Sequence, residues 1–280
     1  RPLPVHVTAA LIGNVAATLA PWVPAVRRRV GANLDRVHPD WPADRRRRLM
    51  RDSTGQFVRL CLEYLHLPRF IANVRLDVEG IERVHAAAAA GRGVLIVTAH
   101  YGNWEAIRVA CLRAGIPAGI IYRPFNNRYV DAYTLRLIIR AGTPVMQKGP
   151  RGMRALTRHL MSGGHAVLLI DQRTTGAPLI PFLGHPAETL TVAAALARRT
   201  GADLITARAR RTDDRGSFEV RFEAPVPDDT PAAMTAEINR RIGAWIDAHP
   251  EQWFWLHRRW RNTPPPTPPS APTSAPTSAP

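Results

Sequence analysis

Cysteine is scarce in this chain, and common cofactor motifs are missing. The 280 residues include two cysteines, Cys61 and Cys111, which show neither CxxC spacing nor a nearby histidine cluster. This argues against a disulfide framework or a structural zinc site and favours a reducing compartment. The histidines lack metal-ligand spacing, and neither GxxxxGK[ST] nor GxGxxG occurs. We therefore expect no metal and no nucleotide cofactor.

Acidic residues are also few. The chain has 22 Asp and Glu residues and 38 Lys and Arg residues, which gives a net charge of +16. Such a charge favours an anionic partner: nucleic acid, an anionic bilayer or an acidic protein. Aromatic residues make up 7% of the chain and are not interleaved with the basic runs, as stacking platforms for nucleic acid would require. We expect no nucleic acid partner, and a basic binding protein without catalysis stays an alternative.

The two ends differ in composition from the rest. Residues 2–26 contain no Asp, Glu, Lys or Arg and are followed by three arginines, the flank expected on the cytoplasmic side of a membrane segment. Residues 263–280 read TPPPTPPSAPTSAPTSAP, which offers nothing to a packed core. We predict that residues 1–26 form a membrane-associated or packing segment, 27–262 one domain and 263–280 a disordered tail.

Strand-like and helix-like segments alternate between these ends. An amphipathic helix is predicted over residues 42–66. Strands are predicted at 76–78, 94–98, 118–122, 144–147, 166–170, 204–209 and 218–222, and helices at 104–114, 129–141, 151–162, 188–200 and 231–249. This alternation indicates an α/β fold with a mostly parallel central sheet flanked by helices, preceded by an N-terminal helical region.

The segment VLIVTAHYGNWE at 94–105 joins a buried strand to a histidine and a carboxylate. His100 follows the apolar run, and Glu105 falls in the first turn of the next predicted helix. Gly102 allows a sharp turn between them, and Asn103 is placed to cap the helix. Asp171 ends a second apolar run, AVLLI. Since sites in such folds lie beyond the carboxyl ends of strands, we expect His100 and Asp171 to share one crevice.

These residue types indicate base-assisted transfer. Neutral His100 is the expected base for an acceptor hydroxyl, and Glu105 is expected to fix the imidazole tautomer and stabilise the imidazolium. GxSxG is absent and both cysteines fall in helix-like segments, so direct transfer is favoured over a covalent enzyme intermediate. The same pair could activate water, which leaves a hydrolase open.

Five ordered blocks carry a resemblance to a known family. They are HYGNWE at 100–105, YRPFNNRYVD at 122–131, LLIDQR at 168–173 with IPFLG at 180–184, ALARRTGADLI at 195–205 and PEQWFWLHRRW at 250–260. Together they resemble the late acyltransferases of lipid A biosynthesis, the lauroyl and myristoyl transferases, which are related to glycerolipid acyltransferases through the HxxxxD/E motif. The resemblance spans roughly residues 25–262, so residues 27–262 are expected to be an acyltransferase domain.

The resemblance implies roles for individual residues. His100 and Glu105 match the catalytic pair, and Asp171 matches an acidic residue that supports the site. The expected substrate-binding residues are Arg123, Arg140, Asp171, Asn103, Gln172 and Arg173. Many members carry a second acidic residue or a lysine where this chain has Arg173. That departure leaves the acceptor open, so another glycolipid or phospholipid is an alternative.

The resemblance also implies partners and a location. The donor is a fatty acyl thioester, usually on acyl carrier protein, and the acceptor is a hydroxyl of a lipid A precursor at the cytoplasmic face of the inner membrane. No cofactor is implied. The basic charge would attract both the acidic carrier protein and an anionic membrane surface. Candidate contact clusters are residues 27–29, 45–48 and 258–261.

Overall fold

The computed structural model describes residues 4–261 and residue 263. The predicted disordered tail therefore lies outside the described residues except for Thr263, and so do the first three residues of the predicted N-terminal segment.

After four consecutive helices, strands and helices alternate from β1 to β5, and the rest of the order is β6-β7-α9-β8-β9-α10. The helices are α1 (Val5–Leu19), α2 (Pro24–Val37), α3 (Ala43–Leu65), α4 (Leu67–Asn73), α5 (Glu82–Ala89), α6 (Glu105–Arg113), α7 (Arg128–Ile138), α8 (Pro150–Met161), α9 (Val192–Thr200) and α10 (Pro231–Ala248). The strands are β1 (Arg75–Glu79), β2 (Val94–Thr98), β3 (Gly119–Tyr122), β4 (Val145–Gln147), β5 (His165–Leu169), β6 (Leu179–Phe182), β7 (His185–Glu188), β8 (Asp203–Arg211) and β9 (Ser217–Pro225). Short 3-10 helices cover Ala20–Trp22, Ile139–Ala141 and Pro250–Gln252.

A seven-stranded sheet forms the centre, in the order β1-β9-β8-β2-β5-β3-β4. Only the β8–β9 pair is antiparallel among the described neighbours in this sheet. The predicted α/β fold with a mostly parallel sheet, flanking helices and an N-terminal helical region is confirmed. The β6–β7 hairpin is not predicted by the sequence. Its second strand ends at Glu188, where the sequence predicts the start of a helix over residues 188–200. That helix begins at Val192 instead.

The middle strand β2 divides the core in two. All five of its residues are buried, because β8 and β5 pair with its edges and helices cover both faces. Leu95 and Val97 pack in a core with α10 and the C-terminal tryptophans, whereas Val94 and Ile96 pack in a second core with α6. Alternate side chains of a strand point to opposite faces, so each face receives its own set.

The N-terminal helix α1 packs along α3 at a contact of small residues. A Cβ built on Gly55 would lie 3.1 Å from the Cβ of Ala17 and 3.1 Å from the carbonyl oxygen of Gly13. Beside this contact the Arg59 guanidinium donates to Oδ1 of Asn14 at 2.7 Å. The backbones can approach closely because both crossing residues are glycine.

The opposite side of α1 is apolar and open. Its exposed side chains are Leu11, Ile12, Val15 and Leu19, and Trp22 follows in the next turn. Val5–Trp22 is long and apolar enough to cross a membrane by length and composition, and 17% of it is buried. The segment therefore packs on the domain with one side and offers an apolar surface with the other.

Candidate active site

A tight turn after β2 places His100 at the carboxyl end of the central sheet. Gly102 has a φ of +54°, and a Cβ there would lie 1.8 Å from the carbonyl oxygen of Ala209. Only glycine fits, as the sequence predicts. The C-terminal segment pairs with the same turn: the Gly102 N–H donates to the Gln252 carbonyl at 2.8 Å, and the Phe254 N–H donates to the His100 carbonyl at 3.0 Å. The turn is therefore held from both sides.

Asp171 faces His100 from the neighbouring strand end. It follows β5, which pairs directly with β2. Oδ1 of Asp171 lies 2.7 Å from Nδ1 of His100, and Oδ2 accepts from the His100 backbone N–H at 2.9 Å. Nε1 of Trp253 also donates to Oδ2, at 2.8 Å. The structure thus brings His100 and Asp171 together in one crevice, as expected from their places at strand ends.

These three donors keep Asp171 ionised. Burial opposes the charged form, but the charge of His100 and the hydrogen bonds from His100 and Trp253 outweigh it and lower the pKa of Asp171 to about 2. A carboxylate only accepts, so Nδ1 of His100 donates to it, and in the neutral ring the lone pair lies on Nε2. The amide nitrogen of Gln172 lies 3.2 Å from Nε2. An acceptor hydroxyl placed there would meet a base in the correct tautomer.

Glu105 does not have the contact that the sequence predicted for it. Its Oε2 pairs with Nη1 of Arg108 at 2.7 Å, and both side chains are fully buried. Arg108 also donates to the carbonyl oxygens of Ala118 and Gly142, at 3.2 and 2.6 Å. Residues three positions apart lie on the same side of a helix, so the buried guanidinium of Arg108 pairs with the carboxylate of Glu105. Asp171, rather than Glu105, fixes the imidazole tautomer, and a catalytic role for Glu105 stays a prediction.

Asn103 is buried behind the turn. Its Oδ1 accepts from the Glu105 N–H at 3.0 Å, which is the predicted cap, and its Nδ2 donates to Oε2 of Glu63 at 2.9 Å. Glu63 in turn pairs with both terminal nitrogens of Arg211, at 2.7 and 2.6 Å. Asn103 therefore ties α3 and β8 to the turn, and its amide faces protein.

Arg173 is also held by the protein. It pairs with Glu188 at 2.7 Å, and its backbone N–H donates to Nε2 of His257 at 2.9 Å. Burial lowers the pKa of His257 to about 4, so the ring stays neutral and accepts this bond. The guanidinium thus joins the loop after β5 to the β6–β7 hairpin.

The two other arginines predicted to bind substrate lie at opposite ends of the sheet. Arg123 follows β3 at the same carboxyl edge as His100, is exposed, and is separated from the β2 end by β5. Arg140 lies in the 3-10 helix that leads into β4, hence at the amino edge. The structure groups Arg123 with the site edge and does not group Arg140 with it. Their roles in binding stay predictions.

A narrow cleft opens beside His100. Its walls are Ser53, Gln56, Phe57 and Leu60 of α3 together with Gly102, Trp104 and residues 252–254. The rings of Phe57 and Phe254 lie 4.4 Å apart. The cavity volume is about 10 Å³, room for roughly one water molecule. A ligand larger than a water molecule would therefore need these two rings to move apart.

A larger cavity of about 520 Å³ lies elsewhere, against β8, β9 and α10. Its arginines are already paired with its glutamates, for example Arg210 with Glu219 at 3.1 Å and Arg241 with Glu237 at 2.7 Å. Its size exceeds that of the cleft at His100, but its arginines pair with its glutamates. The chemistry is better placed at His100, where a base and an ionised carboxylate meet.

Comparison with known proteins identifies the family of the chain. A family model described as bacterial lipid A biosynthesis acyltransferase matches residues 1–262. The chain belongs to that family. This acyltransferase is 25% identical over 273 residues to a lipid A biosynthesis palmitoleoyltransferase of Escherichia coli, which covers 94% of the chain and 87% of the relative. It is 26% identical over 198 residues to the lipid A biosynthesis lauroyltransferase of the same organism, which covers 67% of the chain and 62% of the relative.

A third relative has a different name. It is the phosphatidylinositol mannoside acyltransferase of Mycolicibacterium smegmatis, 25% identical over 242 residues, which covers 81% of the chain and 77% of the relative. The protein is thus a transferase enzyme, an acyltransferase for lipid A or a related glycolipid. The family also suggests association with a membrane, in keeping with the apolar face of α1.

Sequence reasoning missed the part played by Trp253. The C-terminal block that contains it contributes to the family resemblance, but nothing in the block shows that the indole donates to Asp171. The two residues are 82 positions apart, and only folding brings them together.

Proposed function

We propose that this acyltransferase transfers a fatty acyl chain from an acyl thioester, carried by acyl carrier protein, to a hydroxyl of a lipid A precursor at the cytoplasmic face of the inner membrane. The observation that supports it most is the 2.7 Å contact between Nδ1 of His100 and the ionised Asp171. That contact leaves the lone pair of the neutral ring on Nε2, beside the Gln172 amide at 3.2 Å, where it can accept a proton at the mouth of the cleft.

The reaction follows from this geometry. Nε2 of His100 takes the proton of the acceptor hydroxyl while the oxygen attacks the thioester carbonyl. Asp171 stabilises the imidazolium that forms, as a buried carboxylate does in other base-assisted acyl transfers. When the tetrahedral intermediate collapses, the carbon–sulfur bond breaks, and the thiolate receives the proton from Nε2. The products are an ester and a free thiol, and His100 returns to its neutral form.

The shape of the cleft favours transfer over hydrolysis. Water would use the same base, so a thioesterase is the natural competing activity. Phe57 and Phe254 close the cleft beside His100, and the closed cleft has little room for water. An acyl chain that separates these rings would itself occupy the space, so that the acceptor hydroxyl reaches the base in preference to bulk water.

A second acceptor is supported by one comparison. The phosphatidylinositol mannoside acyltransferase covers 81% of this chain at the same identity as the palmitoleoyltransferase. Arg173, where many family members carry an acidic residue or lysine, pairs with Glu188 inside the protein. A glycolipid other than a lipid A precursor is therefore the alternative acceptor.

The test uses His100→Ala and the lipids of living cells. His100→Ala should lower acyl transfer from acyl carrier protein by at least about a thousand-fold, while thermal unfolding in detergent stays close to that of the unmodified protein. Mass spectrometry of lipids from cells with and without the protein should show one acyl chain lost from a lipid A species, or from a phosphoinositol mannoside under the alternative. Near-normal transfer by a folded His100→Ala protein would overturn the mechanism, and free fatty acid as the only product would replace the transferase by a hydrolase.

A further inference from the structure

The positive charge of this acyltransferase is unevenly distributed between the two edges of its sheet. Residues 123–158, which follow β3 and include α7, β4 and most of α8, contain eight basic residues and one acidic residue, Asp131. Residues 203–223, which form β8 and most of β9 at the other side, contain five basic and five acidic residues. Ion pairs are dense there, as between Arg208 and Glu219 at 3.2 Å and between Arg221 and Asp77 at 2.7 Å.

The cations of the first region have no such partners. Within the part of the chain that the structure describes, Arg123, Arg136 and Arg140 form no ion pair, and all three are exposed. The single carboxylate, Asp131, accepts the backbone N–H of Phe125 at 2.9 Å. An exposed group of unpaired arginines adds little to the stability of the fold, because a surface charge stabilises a protein only through a nearby opposite charge. The group is therefore available to an anionic partner.

Helix α7 combines these cations with exposed aromatic rings. Tyr129, Tyr133 and Arg136 follow one another at spacings of four and three residues, which puts them on one side of the helix. Arg140 follows in the 3-10 helix Ile139–Ala141. Tyr129 is 70% exposed and Tyr133 is 49% exposed. The hydroxyl of Tyr133 donates to the carbonyl of Leu65 at 3.1 Å. This bond joins α7 to the end of α3, the helix that forms one wall of the cleft.

Tyrosine and arginine side by side are the side chains that proteins place at the interface of an anionic bilayer. Further apolar side chains are exposed next to these residues: Phe125, Val130 and Ile139. They add apolar surface that a bilayer interface would bury. A purely ionic docking site for an acidic protein would not need them.

We infer that the exposed side of α7, defined by Tyr129, Tyr133 and Arg136, docks on an anionic lipid bilayer. The surface extends the proposed function, because α7 starts at the carboxyl edge where His100 lies, and docking there would bring a membrane-embedded acceptor to the cleft. It is separate from α1, whose apolar face would hold the protein to any bilayer whatever its charge. The α7 surface adds the preference for anionic lipid.

The test measures vesicle binding of the full chain and needs neither donor nor acceptor. Vesicles of phosphatidylglycerol mixed with phosphatidylcholine are compared with vesicles of phosphatidylcholine alone. Arg136→Glu is expected to weaken binding to the anionic vesicles by roughly ten-fold or more, and the double change Tyr129→Ser with Tyr133→Ser by about three- to ten-fold. Binding to neutral vesicles, which rests on α1, should change less.

The matched control is Arg199→Glu. Arg199 is also exposed, also lies in the last turn of a helix and also lacks an ion pair among the described residues. The charge change and the effect on the helix dipole are therefore alike. Arg136→Gln serves as a second variant if the reversal disturbs folding, which thermal unfolding would show.

Equal losses for Arg136→Glu and Arg199→Glu would overturn the proposal, since only net charge would then matter. Unchanged vesicle binding with weakened binding of purified acyl carrier protein would also overturn it and would make α7 a protein-docking surface. The result is independent of catalysis: a variant that binds vesicles normally but transfers no acyl chain bears only on the proposed function.

Discussion

Replacing Asp171 by asparagine tests the geometry of the site most directly. The side chain keeps its shape, but one acceptor oxygen becomes an NH₂ donor. In the protein Oδ1 meets Nδ1 of His100, while Oδ2 meets the N–H groups of His100 and Trp253. If the asparagine oxygen takes the place of Oδ2, its amide faces Nδ1, which must then become the acceptor. His100 would carry its proton on Nε2, where it cannot act as base.

The other orientation of the amide costs more in folding. The asparagine NH₂ would then oppose two N–H donors, in a site where Asp171 is 2% exposed. Each unmade hydrogen bond to a buried group costs about 1–3 kcal/mol. The first orientation is therefore favoured, and with it the wrong tautomer. We expect kcat to fall by about 10³- to 10⁴-fold, equivalent to about 4–5.5 kcal/mol in the barrier.

The comparison variant is Glu105→Gln. Glu105 compensates the fully buried Arg108, and removing one charge of a buried pair costs about 3–5 kcal/mol of the free energy of unfolding. Glu105→Gln should thus lower stability strongly and change kcat of the folded fraction by less than about ten-fold. Asp171→Asn should show the reverse. The assay is transfer from labelled acyl-carrier-protein thioester in detergent, with thermal unfolding in the same buffer.

The opposite pattern would refute the reasoning. If Asp171→Asn kept near-normal kcat while Glu105→Gln lost transfer without losing stability, Glu105 would be the functional partner of His100. The HxxxxE spacing would then outweigh the contact seen in the structure.

Three further predictions concern residues around the site. Trp253→Phe removes one hydrogen bond to Asp171 and should lower kcat about ten-fold with little change in KM; steady-state kinetics with unchanged kcat would contradict this. The folded protein holds the pKa of His257 at about 4, below its ordinary 6.5, so the stability that this residue contributes is present above pH 6.5 and is lost as the pH falls towards 4. Urea unfolding at several pH values should show a smaller decrease for His257→Gln, and an identical decrease would argue against the burial of a neutral ring. Gly55→Leu should push α1 away from α3, because a Cβ already meets Ala17 at 3.1 Å; limited proteolysis should cut α1 sooner, and the free energy of unfolding should fall by about 1–3 kcal/mol.

The sequence by itself determined the class of the fold and the position of His100 at a strand end. The run VLIVT is buried on both faces and could only be a central strand of a covered sheet. Gly102 was required by a turn that no other residue fits. Because a local pattern of apolar residues and glycine carries this information, the α/β class and the position of His100 at a strand end followed from the chain alone. So did the family, through its five blocks.

The smaller elements escaped sequence reasoning. The β6–β7 hairpin has two strands of only four residues, each with a proline, so its pattern is weak. Helix α2 begins at Pro24, inside the segment predicted for residues 1–26, and runs past its end. Proline is favoured in the first turn of a helix.

Only the tertiary structure decided which carboxylate serves His100. Glu105 is close in sequence, whereas Asp171 is 71 residues away. Sequence spacing places Glu105 on the same side of the helix as Arg108. The spacing does not show that the Arg108 guanidinium is fully buried and pairs with Glu105. The pairing of β2 with β5 puts Asp171 against the imidazole, and the indole of Trp253 arrives from the far end of the chain. Contacts between distant segments depend on how the sheet and the helices pack, and short-range sequence patterns do not encode that packing.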